Sequence, residues 1–251
     1  MQQIFWPGSL RGQTHLTLTG NEFQHLIKVL RLKINDRFWI VDHEKQTYQA
    51  QIQSVGRQDF TVQLVPQLRI HSELPNSVKI ACALSKKDKV EWITQKATEL
   101  GVTEIIFFKS HYAVKKWDST QVSKKVTRLQ QIALHAAQQS WRLQVPQVRY
   151  AASLAQVLAT VAADYRLVAY EEAAKNNEQA QLAQICQQMQ PQQSLLAFFG
   201  PEGGFTVEEI NQMRQNGCIV CGLGPRILRA ETAPLYFLSA VSYQTELSKD
   251  F

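Results

Sequence analysis

The sequence predicts an α/β protein in two parts, a small β-barrel followed by a larger parallel-sheet domain. Three observations predict it. Short strand-like stretches separated by polar turns fill the chain before about residue 70. Beyond that point strand and helix patterns alternate. Between the two, PQLRIHSELPNS from Pro66 to Ser77 carries two prolines and little periodicity, as a linker does. The boundary falls near residue 72, giving parts of 1–72 and 73–251.

In the first part the strand patterns are His15 to Thr19, Arg37 to Asp42, Thr47 to Val55 and Asp59 to Val65. One helix interrupts them, from about Asn21 to Arg31. Phe23, Leu26, Ile27 and Leu30 share its apolar face, while His25, Lys28 and Arg31 recur at three-residue steps on a basic one. That basic face is either a solvated helix side or an RNA contact.

The second part opens with strand Val78 to Leu84, helix Lys87 to Leu100 and strand Glu104 to Phe108, a βαβ unit whose helix lines up Val90, Ile93, Ala97 and Leu100 and stops at Gly101. A long helix follows from about Thr120 to Ser140, striped by Val122, Val126, Leu129, Ala133 and Ala136. Helix Leu154 to Ala163, strand Arg166 to Tyr170, a glutamine-rich helix near 177–190 and strand Leu195 to Phe199 continue the alternation. No internal repeat is present.

Composition bounds the function. With 251 residues, 45% of them hydrophobic and 19% charged, the chain can bury a sizeable core. The opening MQQIFWPGSLRG has no cationic flank followed by an apolar run, and no stretch approaches the roughly 18 apolar residues of a membrane span. A cytoplasmic protein without a membrane partner is expected. A net charge of +6 and a pI near 9.1 favour a polyanionic partner such as nucleic acid. The cysteines Cys82, Cys186, Cys218 and Cys221 fall in strand or helix patterns, so disulfides are not expected. Cys218 and Cys221 resemble a metal pair, but three residues apart in a strand they point to opposite faces, and buried thiols without a metal are the expectation.

Two glycine-rich loops carry the chemistry. After strand Leu195 to Phe199, Gly200 to Phe205 forms a turn, and Thr206-Val207-Glu208-Glu209 matches a capping box that starts a helix. Such a loop lies at a strand's carboxyl end, where open α/β sheets bind ligands and glycines admit close approach to backbone amides. A nucleotide-phosphate cradle fits poorly, because neither a Gly-Lys-Ser/Thr ending nor GxGxxG is present and Glu202 places a carboxylate inside the turn. A neutral, hydroxyl-rich or cationic ligand fits better, or Glu202 pairs with an internal arginine, or the loop is a tight strand-to-helix turn that holds no ligand. The second loop, from Cys221 to Ala233, precedes a helix from about Thr232 to Leu247 and crowds Arg226, Arg229 and Glu231 at its rim. These three are either an ion pair with a helix cap or substrate-handling groups.

Lys96-Ala97-Thr98-Glu99-Leu100-Gly101-Val102, Gly200-Pro201-Glu202-Gly203-Gly204-Phe205 and Leu223-Gly224-Pro225-Arg226-Ile227-Leu228-Arg229-Ala230-Glu231-Thr232-Ala233 resemble the signature blocks of the bacterial 16S ribosomal RNA uracil-N3 methyltransferases, of the SPOUT class. The blocks stand in that family's order and the resemblance spans the chain. The first part, with His25-Leu26-Ile27-Lys28-Val29-Leu30-Arg31, is similar to the family's PUA-like RNA-binding barrel. The resemblance implies a trefoil knot in the carboxy-terminal SPOUT domain, S-adenosylmethionine as cofactor, a homodimer with active sites near the subunit interface, and 16S rRNA or the small ribosomal subunit as partner. No metal is implied.

The cofactor would be held by Tyr170 and Glu171, by Gly200, Pro201, Glu202, Gly203 and Gly204, and by Leu223, Gly224, Ile227, Leu228, Thr232 and Ala233. Glu231 would help accept the N3 proton and Arg229 would stabilise charge on the uracil carbonyls, although Glu231 paired to Arg226 or Arg229 remains an equal alternative. RNA would be gripped by Arg11, His25, Lys28, Arg31, Lys86, Lys87 and Arg142. The chain departs from the family pattern at Gln139-Ser140-Trp141-Arg142, where a glycine usually precedes the arginine, at Lys28 in place of arginine, and at Gln2 and Gln3 where an arginine is common. Lys28 keeps the charge but loses bidentate phosphate binding. The rival functions are a knotted methyltransferase with another target atom or RNA, and a non-catalytic RNA-binding assembly factor.

Overall fold

A computed structural model describes residues 2–67, 72–113, 117–171 and 181–248, apart from the side chain of Lys87. Two compact units divide the chain, Met1–Ser72 with Gln138–Gln144, and Glu73–Ala137 with Val145–Phe251.

In the first unit, strands β1 (Gln3–Phe5), β2 (His15–Thr19), β3 (Arg37–Val41), β4 (Thr47–Val55) and β5 (Asp59–Pro66) form one sheet in the order β1-β3-β4-β5-β2. All pairs are antiparallel except β1 with β3. A register shift between Ile52 and Ser54 adds the local bend that lets the sheet curl around its core of Leu18, Phe38, Ile40, Ile52, Phe60 and Val62. β1 has no counterpart among the expected strands, since three residues at a sheet edge are too few to show alternation.

The helix expected from Asn21 to Arg31 takes a different form. Helix α1 (Gly20–Phe23) runs directly into a π-helical stretch, Gln24–Val29, in which the Leu30 amide bonds back to the His25 carbonyl at 2.9 Å. Arg31 then adopts a left-handed backbone, φ 57°. The wider turn and this break put His25, Lys28 and Arg31 out of the regular three-residue alignment, and Leu30 becomes 40% exposed. Phe23 and Leu26 still anchor the segment in the core.

The turn at Gln139 to Arg142 explains one departure. Trp141 holds φ 61°, the left-handed conformation that favours glycine, so the backbone shape survives a bulky residue. Ser72 Oγ donates to the Trp141 carbonyl and Gln3 Nε2 to that of Arg142, each at 2.7 Å, fixing the turn from both sides.

The second unit alternates β6 (Ser77–Ala83), α2 (Lys87–Glu99), β7 (Glu104–Phe108), α3 (Ser119–Gln139), β8 (Gln147–Ala151), α4 (Leu154–Thr160), β9 (Tyr165–Ala169), α5 (Gln181–Gln188), β10 (Ser194–Phe199), α6 (Val207–Gln215), β11 (Ile219–Cys221) and α7 (Ala233–Ser242), the last prolonged by a π-helical stretch, Tyr243–Leu247. Residues 177–180 of the expected glutamine-rich helix lie outside the described residues. The sheet is parallel throughout, in the order β11-β9-β10-β6-β7-β8. β8 escaped the sequence reading because an edge strand such as QVRYA carries polar residues that a central strand excludes.

Helices cover both faces, so the central strands are buried on both sides. Along β10, Leu195, Ala197 and Phe199 point into one core with α2, α3, α5 and α7, while Leu196 and Phe198 point into the other with α4 and α6. Cys221 belongs to the first core and Cys218 to the second, the opposite-face arrangement their spacing predicts. All four cysteines are free and buried, and burial pushes the Cys218 thiol up to about 11. After β11, at one edge of the sheet, the chain returns to pack α7 on α2, β6 and β10, the return path that a threaded carboxy-terminal segment requires. Among the described residues no helix is long and apolar enough to cross a membrane.

Candidate functional site

Strand order dictates where the site forms. β11, β9, β10 and β6 are consecutive neighbours in a parallel sheet, so the segments leaving their carboxyl ends emerge side by side. Between them lies a cleft of about 580 Å³, within the ordinary range for small-molecule sites. From β9 it receives Tyr170 and Glu171, from β10 Gly200, Pro201, Glu202, Gly203 and Gly204, and from β11 Leu223, Gly224, Ile227, Leu228 and Arg229, with Ala233 at the start of α7. All these were expected at the site. Thr232 does not line the cleft, and Glu231 reaches it only through a neighbour's charge.

The first loop is held from within. The Gly204 amide donates to the Pro201 carbonyl at 2.9 Å and closes the turn. Gly204 has φ 71°, a left-handed conformation that favours glycine although the space beside it is open, and a Cβ on Gly200 would stand 3.1 Å from the Gly204 carbonyl carbon, a tight approach to backbone. The capping box forms as its spacing predicts: the Glu209 amide donates to Thr206 Oγ1 at 3.2 Å, and the Thr206 amide to Glu209 Oε2 at 3.0 Å. The other oxygen, Oε1, accepts from the His111 amide at 2.9 Å, so one carboxylate caps α6 and pins the loop after β7.

Lys89, in the first turn of α2, also lines the cleft and was not among the expected site residues. Its Nζ lies 2.8 Å from Glu202 Oε1 and 2.9 Å from Glu231 Oε2, joining the loop after β10 to the segment before α7. The first contact is a hydrogen bond; Glu231 Oε2 has no aligned hydrogen-bond partner, so the second is a charge contact. A signal was available, since Lys86-Lys87-Asp88-Lys89 follows a central strand at the sheet end where ligands bind. No ion pair links Glu231 to Arg226 or Arg229 among the described residues, so the arginine pairing left open by spacing is replaced by Lys89. Both arginines are exposed at the rim.

These contacts set the charges. Burial alone would raise the Glu231 carboxyl, but the Lys89 ammonium, with a smaller contribution from Arg229, holds it below the ordinary 4.5. Glu202 is held low in the same way, by Lys89 and then Lys86 against the effect of burial. Lys89 is raised above 10.5, through Glu202 first and Glu231 second. The bridge is therefore intact at neutral pH, lost as pH falls through the depressed carboxyl values, and lost again only as pH climbs past the raised lysine value. Lys89, Arg226 and Arg229 balance Glu171, Glu202 and Glu231, so the cleft suits a ligand bearing both signs of charge and not a polyphosphate.

The expected RNA contacts fare differently. Arg11, His25, Lys28, Arg31 and Lys86 are exposed. Lys87 opens α2, but its side chain lies outside the described residues. Arg142 is a correction: it is 1% exposed, and a guanidinium so enclosed cannot meet a phosphate from solution.

Comparison with known proteins agrees with this architecture. A family described as RNA methyltransferase domain matches residues 72–242, and one described as RNA methyltransferase PUA domain matches residues 18–65. The chain is 40% identical to the ribosomal RNA small subunit methyltransferase E of Bacillus subtilis (strain 168), over 92% of this chain and 91% of that protein. It is similar in structure to the enzyme of that name from Neisseria gonorrhoeae, solved bound to S-adenosyl methionine, with 26% identity, a TM-score of 0.84 and coverage of 96% and 97% of the two chains. A Legionella pneumophila methyltransferase, solved with the cofactor SAM, gives 28% identity and a TM-score of 0.81, with 96% of each chain covered.

Proposed function

We propose, because this chain belongs to the ribosomal RNA small subunit methyltransferase E family, that it transfers a methyl group from S-adenosylmethionine to N3 of a uridine in 16S ribosomal RNA. The observation that carries the reading is an ionised Glu231 at the edge of a cleft whose charges balance, built from loops that share the family's signature blocks. The residues present fit the cofactor: a glycine turn open to close approach, apolar walls from Phe199, Leu223 and Ile227, and acidic and basic groups for a ligand with ammonium, sulfonium and carboxylate charges. When bound, the cofactor supplies an electrophilic methyl carbon, and the electron pair of the broken carbon–sulfur bond leaves with sulfur.

The chain's own residues must free the N3 lone pair, because a neutral imide nitrogen is a poor nucleophile. Glu231 takes the N3 proton, and Arg229 stabilises the negative charge that spreads onto the uracil carbonyls as the N3–H bond breaks. The turns at 200–204 and 223–228 hold the two reactants in line. Arg11, His25, Lys28, Arg31, Lys86 and Lys87 draw in the RNA through its phosphates. The barrel of residues 1–72 serves as the RNA-binding part and 73–251 as the knotted SPOUT catalytic part. The protein works in the cytoplasm as a homodimer, and the half-exposed or exposed Tyr236, Tyr243 and Leu247 on the carboxy-terminal helix offer an apolar stripe for the partner copy.

The test is nucleoside analysis of ribosomal RNA from a deletion strain. Loss of 3-methyluridine, restored by the wild-type protein, is expected. Intact 3-methyluridine with another methylated base missing moves the target; a purified protein that binds RNA but takes up no S-adenosylmethionine in calorimetry is a binding module instead.

A further inference from the structure

Lys89 stands in a place that does nothing for its own helix. It occupies the first turn of α2, where the macrodipole disfavours a cation, and Lys86 at the cap position provides no side-chain hydrogen bond to the exposed amides. A lysine that opposes local preference points to a role elsewhere. Its side chain is about three-quarters shielded from solvent, and its ammonium touches two carboxylates from two different segments, Glu202 after β10 and Glu231 before α7. Glu231 Oε2 is buried and has no aligned hydrogen bond.

We propose that Lys89 is a positioning residue for methyl transfer, a bridge that fixes the two cleft loops at one separation and presents the Glu231 carboxylate to the substrate. The proposal rests on the reading of Glu231 as the proton acceptor. The bridge is divided. When Glu231 takes a proton its attraction for Lys89 disappears, and Lys89 is then held by Glu202 alone. The readiness of Glu231 to accept a proton thus depends on how Lys89 is shared. The charged groups that face the pair are Lys89 and Arg229 around Glu231, and Lys89 and Lys86 around Glu202.

Sharing of this kind predicts effects of opposite sign. In Lys89→Met, a side chain of similar length without charge, burial acts on Glu231 unopposed, and the acid limb of the single-turnover pH profile moves to higher pH. In Glu202→Gln the competing carboxylate is gone, Lys89 belongs to Glu231 alone, and the limb moves to lower pH. Each pH unit of displacement changes the rate below the limb about tenfold. Lys89→Arg keeps the limb near its wild-type position. In the protein without cofactor, Lys89→Met also speeds amide hydrogen exchange in both 200–205 and 229–232, a readout independent of activity.

A limb that stays in place in Lys89→Met, a limb that moves the same way in both variants, or exchange unchanged in either segment overturns the proposal. Glu202→Gln keeps the test decisive if Lys89→Met does not fold. The two readings also separate. If Glu231→Gln leaves the wild-type acid limb, the proton acceptor is misassigned and both readings fall; if Glu231→Gln removes it and Lys89→Met does not shift it, the bridge alone is wrong.

Discussion

The cleft and the basic segment after β2 use charge in contrary ways. In the cleft, Lys89 is largely shielded and stands at contact distance from both Glu202 and Glu231. Along the segment, His25, Lys28 and Arg31 are exposed, and no ion pair among the described residues neutralises them; Lys28 has only the face of Phe23, 5.2 Å away. Enclosed charges define geometry and are little affected by salt, whereas exposed ones define no geometry and act at a distance that salt shortens. On the proposed function, affinity for a polyanion and precision at a reacting atom belong to different surfaces.

Four substitutions can break or sharpen that contrast. Glu231→Gln should cut single-turnover methylation by about 10²–10⁴-fold while leaving RNA affinity unchanged; a fall in RNA affinity would dissolve the distinction. Gly204→Val places a β-branched side chain at φ 71°, costing about 1–3 kcal/mol, so calorimetry should show cofactor binding weakened about ten- to a hundredfold with RNA binding intact. Lys28→Glu combined with Arg31→Glu should do the reverse, weakening RNA and reducing the slope of log affinity against log salt by about 2, with no change in cofactor uptake. The smallest effect belongs to Thr206→Ala, which removes one arm of the capping box and should lower stability in denaturant titration by about 1 kcal/mol.

Legibility followed the same division. The elements around the cleft could be read because their signals are local: β7 spans Glu104–Phe108 as its apolar run predicts, and the Thr206 box sits four residues ahead of the first buried isoleucine of α6. The glycine loops were visible for the same reason, since the left-handed backbone at Gly204 and Gly224 and the close approach at Gly200 all favour glycine. Lys89 was not, because its contacts come from strand order, which pairs Cys82 at the end of β6 with Phe199 at the end of β10, 117 residues further on. The segment after β2 misled for a different reason. Its apolar spacing fits an α-helix, but Phe23 and Leu26 reach the barrel core together through a wider π turn, and packing overrode periodicity. Arg142 misled because burial of a guanidinium leaves no mark on neighbouring residues in the sequence.

The adjacency of β6 and β10 has a consequence for synthesis. Asn76, beside the start of β6, donates its side-chain amide to the carbonyl of Gln193, 117 residues further on, at the start of β10. The pairing of β6 with β10 at the centre of the parallel sheet therefore cannot form until most of the polypeptide has left the ribosome. The amino-terminal strands, all within the first 66 residues, can meet one another long before that moment. A nascent chain of this design passes through a stage with one folded end and a long apolar middle still waiting for its partner, the stage at which chaperone protection matters most.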